Sequence, residues 1–282
     1  NKVLNDWITN GTDEYFIVVS YNKTPKDFSV MALDAETLLL FKNTLKTLFN
    51  ADYNQSLIKI SKPKYLAEDY LSSIPLYHEL GHFIDKNYQI VANFSREPGF
   101  SAFGISSIHF SEFFADLFAA QYIGKSAVAP LDETRTKVIT SHPSNAKRVE
   151  LVNTFVEGTG AHDCMSIIEV LKRVTLLRTD RELKIRYENL TNAENPFIQL
   201  TPKIISDPKK LHSLFITGWQ NWMNQDSIIR KKYVQYPECS MAINKLIRNS
   251  IKLTMQQEET NRLRKARNYL ENIAKKIGFI DN

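Results

Sequence analysis

The sequence predicts an α+β fold, because strand-like runs near the N-terminus precede a far longer stretch with helical periodicity. Residues 14–22, "EYFIVVSYN", and 27–34, "DFSVMALD", are rich in β-branched and aromatic residues, and the intervening "KTPK" is typical of a hairpin turn. A third run, "SLIKISKP" at 56–63, alternates briefly and stops at a proline, as edge strands do. From about Ser72 onward, apolar residues recur mainly at helical spacing. We therefore expect a small N-terminal sheet and a mostly helical C-terminal region.

Two helices are predicted around the third strand. The segment 35–50, "AETLLLFKNTLKTLFN", has leucines and phenylalanines at helical spacing, and Asp34 is a suitable N-cap for it. The second helix spans about 73–87 and contains the pentapeptide HELGH. Pro75 lies in its first turn, where a proline is tolerated because that N–H has no helical partner.

Two more helices are predicted after a loop rich in Gly, Pro and Ser. The first, "IHFSEFFADLFAAQYIG" at 108–124, ends at Gly124, a residue type that commonly terminates helices. The next begins in "SHPSNAKRVELVNTFVEG", where Ser141 is a suitable N-cap and Pro143 fits the first turn. Residues from about 160 to 282 look mostly helical and carry no motif that indicates a function.

The length and composition indicate a globular protein with one elaborated domain or one domain and an appendage. The 282 residues exceed the usual size of a single domain, and hydrophobic and charged fractions of 43% and 24% exclude disordered and fibrous classes. We expect a domain from 1 to 158, which contains the sheet and the motif helices, and a helical region from 159 to 282 whose role the sequence does not assign.

The sequence also limits the cellular setting. It contains no run of about 18 uncharged apolar residues, so no transmembrane segment is expected. The N-terminus has no signal-peptide pattern, although it starts without Met and an upstream segment stays open. Cys164 and Cys239 are far apart and lack ligand spacing, which indicates neither a disulfide scaffold nor a cysteine metal site. We expect a cytoplasmic location.

The net charge is +5, and much of the excess lies in 228–236 and 261–276. Solvated helix faces are the expected explanation. Binding of nucleic acid by these helices is an alternative for which the sequence offers no strong support.

HELGH carries the chemistry that the sequence predicts. On a helix, His78 and His82 lie one turn apart and present two imidazoles to the same point. Zinc binds nitrogen and oxygen ligands and keeps one position open in catalytic sites, so the two histidines are candidate ligands. Glu79 then lies beside that open position and is the candidate general base for hydrolysis of a peptide bond. The alternative is an amphipathic helix with two half-buried histidines.

A third ligand distinguishes these two interpretations. A histidine six residues after His82 is excluded, because Tyr88 occupies that position. The segment "SEFFADLFAA" offers Glu112 as a ligand, and Asp116, one turn later, can bind the second N–H of a ligand histidine. Acids among so many apolar residues need a partner. His109, one turn before Glu112, is a competing third ligand.

The succession HELGH, "EFFAD" and "SHPSNAKR" resembles the signatures of gluzincin metallopeptidases, a group that includes the CAAX prenyl proteases and the bacterial heat-shock membrane protease. The resemblance covers roughly 57–150. It implies a zincin-like domain with Zn²⁺ as cofactor and a general base next to it. The residues that match are the metal ligands His78, His82 and Glu112, the general base Glu79, and Asp116 beside the ligands.

The S-H-P segment adds two further candidates. By the same resemblance, His142 and Arg148 are expected to position the site or to stabilise the oxyanion, which a cation or an imidazole N–H can do. The alternative is a capped helix start with a surface arginine. The substrate is then expected to be a protein or peptide, and the strand 56–63 is the candidate edge along which it binds. The alternative is that another element covers this strand. The oligomeric state is not predicted.

The chain departs from this family in one respect, since it has no predicted membrane span. "ExxxDLFAA" is also similar to small cytosolic metallopeptidases that inactivate repressors, which is the second interpretation. The third is a metal-binding but inactive relative that serves as an interaction module.

Overall fold

The computed structural model describes residues 2–8, 15–22, 28–32, 35–52, 56–96, 100–132 and 142–276. It is α+β, as predicted, with a small three-stranded sheet and predominantly helical structure elsewhere. The chain divides into two compact units, 1–187 and 188–282. None of the described helices combines the length and the apolar character that crossing a membrane requires.

The sheet contains β1 (Tyr15–Asn22), β2 (Ser29–Ala32) and β3 (Ser56–Pro63) in the order β1-β3-β2. β3 runs parallel to β1 and antiparallel to β2. The predicted hairpin between the first two strands is therefore wrong, and so is the edge position predicted for 56–63. The hydrophobic pattern indicates that a segment is a strand, but pairing depends on which neighbours cover it. β3 buries the adjacent side chains of Leu57 and Ile58, as a central strand does.

The helices of the first unit are α1 (Lys2–Ile8), α2 (Ala35–Phe49), α3 (Pro75–Tyr88), α4 (Ile90–Phe94), α5 (Ser107–Ile123), α6 (Ala129–Asp132), α7 (Asn145–Glu157) and α8 (His162–Thr179). The predictions for α2, α3 and α5 are confirmed to within two residues. The candidate cap Asp34 lies outside the described residues. The unit continues beyond residue 158, where the sequence predicted a boundary, because α8 packs on α4 and α7.

α5 is the central helix of the first unit and packs against α3 and α7. It is apolar on every face, and its side chains are almost all buried, which is typical of a core helix. Ser106 caps its start by accepting a hydrogen bond from the His109 amide, at 3.3 Å. Gly124, with φ of 55°, ends it as predicted, since a residue without Cβ tolerates that conformation.

α7 begins three residues later than predicted. Its N-cap is Ser144, whose hydroxyl accepts a hydrogen bond from the Lys147 amide at 3.3 Å, so the predicted start at Ser141 is wrong. Ser141 itself lies outside the described residues. A residue that precedes proline disfavours helical geometry, which keeps His142 out of the helix and leaves Ser144 to cap it.

The second unit is helical, with α9 (Pro196–Gln199), α10 (Ser213–Met223), α11 (Ile228–Lys232) and α12 (Tyr236–Lys276). The predominantly helical character predicted for this part of the chain is thus confirmed. α12 buries one stripe of side chains as far as Thr254, and no described side chain beyond that residue is buried.

Candidate metal centre

The site lies where α3 and α5 approach each other through Gly81 of HELGH. A Cβ atom at this position would lie 2.7 Å from Ala115 Cα and 3.0 Å from Phe118 Cβ, closer than packed atoms allow. The absence of a side chain therefore lets the two helix backbones come together. This role of Gly81 was not predicted from the sequence, although an isolated glycine inside a helical pattern is a signal of close approach.

Three candidate ligands meet at this crossing. His78 Nε2 lies 3.4 Å from Glu112 Oε2, and His82 Nε2 lies 3.3 Å from Glu112 Oε1. The ligand atoms of these three residues all lie within 4.8 Å of one another, so together they can hold a metal ion. The structure thus brings together the three side chains that the sequence placed in one set.

Asp116 determines which nitrogen of His78 faces the centre. The residue is 1% exposed, and its carboxylate lies 2.9 Å from His78 Nδ1. Arg148 donates to both of its oxygens, from Nε at 2.6 Å and from Nη2 at 2.7 Å. Burial alone raises the pKa of Asp116, but the hydrogen bonds from Arg148 and His78 outweigh it and hold the pKa below its ordinary value. An ionised carboxylate only accepts hydrogen bonds, so Nδ1 donates and Nε2 is left to face Glu112.

The Glu112 carboxylate is buried with one oxygen that lacks a hydrogen-bond donor among the described residues. The residue is 7% exposed, and Oε2 accepts no hydrogen bond from any described residue. Burying an unpaired carboxylate is costly, so an acceptor that faces the Nε2 atoms of two histidines needs a cation among them. The donor set and this orphaned oxygen fit a metal ion.

A proton can take the place of that cation. Burial lowers the pKa of His78, but the hydrogen bond to Asp116 and the proximity of the Glu112 carboxylate outweigh burial and raise the pKa to about 9. Burial raises the pKa of Glu112, whereas the nearby imidazoles of His78 and His82 bring it well below its usual range. The centre therefore attracts positive charge in either form.

Comparison of the chain with protein-family models, with curated proteins and with solved structures found no match.

Glu79 lies on the same helix, next to the ligands. Its carboxyl is half-buried and close enough to His78, His82 and Glu112 for their charges to change its pKa. Burial and the charge of Glu112 raise the pKa, while the two histidines act against them, and the net shift is upward. An upward shift brings a carboxylate closer to the range in which it exchanges protons at neutral pH.

The two residues predicted from the S-H-P segment both reach the site, in different ways. His142 is exposed, and its Nε2 lies 3.6 Å from Glu112 Oε1. Arg148 is buried and forms the bidentate pair with Asp116, with Nη2 also 3.7 Å from Glu112 Oε2. His109, the competing third ligand, is not part of the ligand group. Its Nε2 is buried and has no hydrogen-bond partner among the described residues.

His82 has partners that the sequence analysis did not identify. Its Nδ1 lies 3.3 Å from Ser111 Oγ, and Ser111 Oγ lies 2.8 Å from Asp85 Oδ2. The other oxygen, Oδ1, accepts the Val91 amide at 2.8 Å. Burial raises the pKa of Asp85 above its ordinary value, although the hydrogen bonds from Val91 and Ser111 act against burial. The position of Asp85 one turn after His82 was the available signal.

The described residues contain a second group of potential ligands, Glu150, Asp163 and Cys164. The positive charge of Lys147 already pairs with the two acids of this group, since Nζ lies 3.0 Å from Glu150 Oε2 and 2.5 Å from Asp163 Oδ2. This group is a lysine-centred ion-pair cluster at the start of α7 and α8. Among the described residues, the HELGH centre is therefore the candidate group in which a buried carboxylate oxygen still lacks a hydrogen-bond donor.

Proposed function

We propose that this protein is a zinc-dependent metallopeptidase that hydrolyses peptide bonds. The observation that carries the proposal is the convergence of His78 Nε2 and His82 Nε2 on the buried Glu112 carboxylate, with Glu79 beside them. Two imidazoles and one carboxylate are a donor set of catalytic zinc sites, which keep a further position open.

The donors are close enough to share one ion. His78 Nε2 lies 3.4 Å from Glu112 Oε2 and His82 Nε2 lies 3.3 Å from Glu112 Oε1, and the ligand atoms of the three residues all lie within 4.8 Å of one another. Nitrogen and oxygen donors of this kind are those that zinc binds. His78, His82 and Glu112 would hold the ion. When bound, zinc supplies a Lewis acid that polarises a carbonyl and makes water more acidic.

Glu79 acts as the general base in this proposal. Its carboxylate removes a proton from the attacking water, and the resulting carboxylic acid returns the proton to the leaving amine. The upward shift of its pKa suits both steps, since a carboxyl with an ordinary pKa is a weaker base and holds the proton less well.

Arg148 and His142 receive separate roles. Arg148 is a positioning residue, because its fork binds Asp116 and so orients His78. His142 is exposed beside Glu112, where an imidazole N–H can donate to the oxyanion that develops during attack on the carbonyl.

The substrate is a protein or peptide in an extended conformation. β2 is an edge strand of the described sheet and packs against α3, whereas β3 has partners on both sides. A peptide that adds to β2 by backbone hydrogen bonds would therefore lie next to the HELGH helix. This assignment replaces 56–63 as the strand that binds substrate. The same proposal includes the resemblance to gluzincins and a zincin-like fold of the first unit. It also includes a cytoplasmic location, with which the free cysteines Cys164 and Cys239 agree.

Zinc analysis combined with peptide hydrolysis tests the proposal. We expect the purified chain to bind one zinc ion and to cleave fluorogenic peptides from a mixed library. Glu79→Gln should keep the zinc and lose at least about 100-fold in turnover, the scale of one general base. Glu112→Ala should lose both. Wild-type turnover in Glu79→Gln would reject the peptidase mechanism and leave a metal-binding interaction module, and full zinc content in Glu112→Ala would reject Glu112 as a ligand.

A further inference from the structure

We infer that Asp85 and Ser111 form a relay that sets the tautomer of His82 and holds its Nε2 ready for the metal. The inference rests on the metal centre of the proposed function but not on peptide hydrolysis. Both members are positioning residues, since they act through His82.

The relay is a chain of hydrogen bonds that joins α3 to α5. It runs from His82 Nδ1 to Ser111 Oγ over 3.3 Å, and from Ser111 Oγ to Asp85 Oδ2 over 2.8 Å. The Val91 amide donates to the remaining oxygen of Asp85 at 2.8 Å. Asp85 is 8% exposed, so water competes little for its carboxylate.

The direction of each bond follows from the chemistry of the groups. An ionised carboxylate is only an acceptor, so the single hydroxyl proton of Ser111 is donated to Asp85. Ser111 Oγ can then bind His82 Nδ1 only as an acceptor, which requires Nδ1 to carry the proton. Neutral imidazole has one N–H, and His82 Nε2 is consequently the unprotonated nitrogen that points at Glu112.

The two ligand histidines thus reach the same tautomer by different means. His78 donates directly to a carboxylate that Arg148 neutralises, while His82 donates to a hydroxyl that an acid polarises. A hydroxyl bond of 3.3 Å is weaker than a charge-assisted bond of 2.9 Å. The His82 side of the centre is therefore more sensitive to reversal of its hydrogen-bond direction.

Asp85 also has a structural role, which the test has to separate from the relay. Its Oδ1 accepts the Val91 amide, near the start of α4. Asp85→Asn keeps an oxygen for this amide and changes little in shape. Its NH₂ group then faces Ser111 and donates, so Ser111 donates in turn to His82 Nδ1 and favours the tautomer with the proton on Nε2.

Metal binding to the full chain, measured by chelator competition for Zn²⁺ and by the visible spectrum of Co²⁺, tests the relay. We expect Asp85→Asn and Ser111→Ala to weaken binding by about 10- to 100-fold, the usual effect of losing an outer partner of a ligand histidine, and to change the Co²⁺ absorption bands. Ser111→Thr keeps the hydroxyl and should restore affinity and spectrum. Ser107→Ala is the matched control, an exposed serine one turn earlier on α5 that should change neither.

The outcomes separate the relay from the proposed function. The relay would be overturned if both Asp85→Asn and Ser111→Ala kept the wild-type metal affinity and Co²⁺ spectrum. It would also be overturned if Ser111→Thr showed the same loss of affinity and change of spectrum as Ser111→Ala. A wild-type chain that binds metal but cleaves no peptide removes the peptidase proposal and leaves the relay in place. If the wild-type chain binds neither metal, the centre and the relay both fall.

Discussion

α5 and the C-terminal part of α12 place acidic and basic side chains in opposite surroundings. Glu112 and Asp116 on α5 are 7% and 1% exposed, and both face cationic or proton-binding partners. No described side chain of α12 beyond Thr254 is buried, so charges such as Glu259 and Arg264 lie in water. A charge in water needs no partner, whereas a buried charge requires one. Acids within an otherwise apolar helix therefore indicate that partner groups lie nearby, and a charge-rich helix by itself does not.

The largest effect is expected from removing the arginine partner of Asp116. Arg148→Met leaves a buried carboxylate without its bidentate cation, which costs about 3 to 5 kcal/mol. Hydrogen exchange of the α3 and α5 amides in the metal-free protein measures this loss locally. Protection equal to wild type would show that Asp116 does not depend on Arg148.

Gly81→Ala is expected to have the second largest effect. The added Cβ would meet the Ala115 backbone at 2.7 Å, so α3 and α5 have to separate. We expect a loss of about 1 to 3 kcal/mol, the range for overpacking, together with weaker zinc binding because the ligands come from both helices. Urea denaturation and zinc competition measure the two effects. Gly158→Ala is a useful contrast, because no atom lies within 4 Å of a Cβ there and only the cost of its φ of 74° applies. Unchanged zinc affinity in Gly81→Ala would refute the close approach.

The pH dependence of metal binding tests the attraction of the centre for positive charge. His78 has its pKa raised from 6.5 to about 9, so in the metal-free protein it is protonated at neutral pH. A metal has to displace this proton, and the apparent affinity should rise about tenfold per pH unit between 6.5 and 9. The same proton stabilises the metal-free fold, fully below pH 6.5, and this contribution is lost as the pH rises through about 9. Chelator competition at several pH values measures the slope, and a flat profile would contradict it.

The smallest effect is expected on α12. Arg264→Met changes the same residue type as Arg148→Met but at an exposed position, and should alter stability by less than about 0.5 kcal/mol. Hydrogen exchange of the α12 amides measures it. A loss as large as that of Arg148→Met would mean that exposure does not separate these two arginines.

Much of the local structure could be predicted because it depends on residues close in sequence. The boundaries of α3 and α5 follow from Pro75, Ser106 and Gly124 and from apolar periodicity, all of which act within one or two turns. α1 was not predicted, because a seven-residue helix has little periodicity of its own. It is stabilised by burial of Trp7, whose indole N–H donates to Tyr122 Oη at 2.9 Å across 115 residues.

In the candidate site, too, the features that depend on residues close in sequence could be predicted. The spacing of HELGH places His78, Glu79 and His82 on one helix, and the turn from Glu112 to Asp116 sets those two acids on one face of another. These are consequences of 3.6 residues per turn, and the amino-acid sequence alone determines them. It also determines that the acids lie among apolar residues and so require partners.

Only the tertiary structure decides how these local elements meet. Three features depend on the angle and distance at which separate elements pack. They are the strand order β1-β3-β2, the approach of α3 to Ala115 through Gly81, and the hydrogen bonds from His82 through Ser111 to Asp85. A hydrogen bond requires its two atoms to be within a few tenths of an ångström of ideal, and sequence spacing does not specify such positions between elements. Helical periodicity selects the candidate ligands, and the packing of α3 on α5 brings them together.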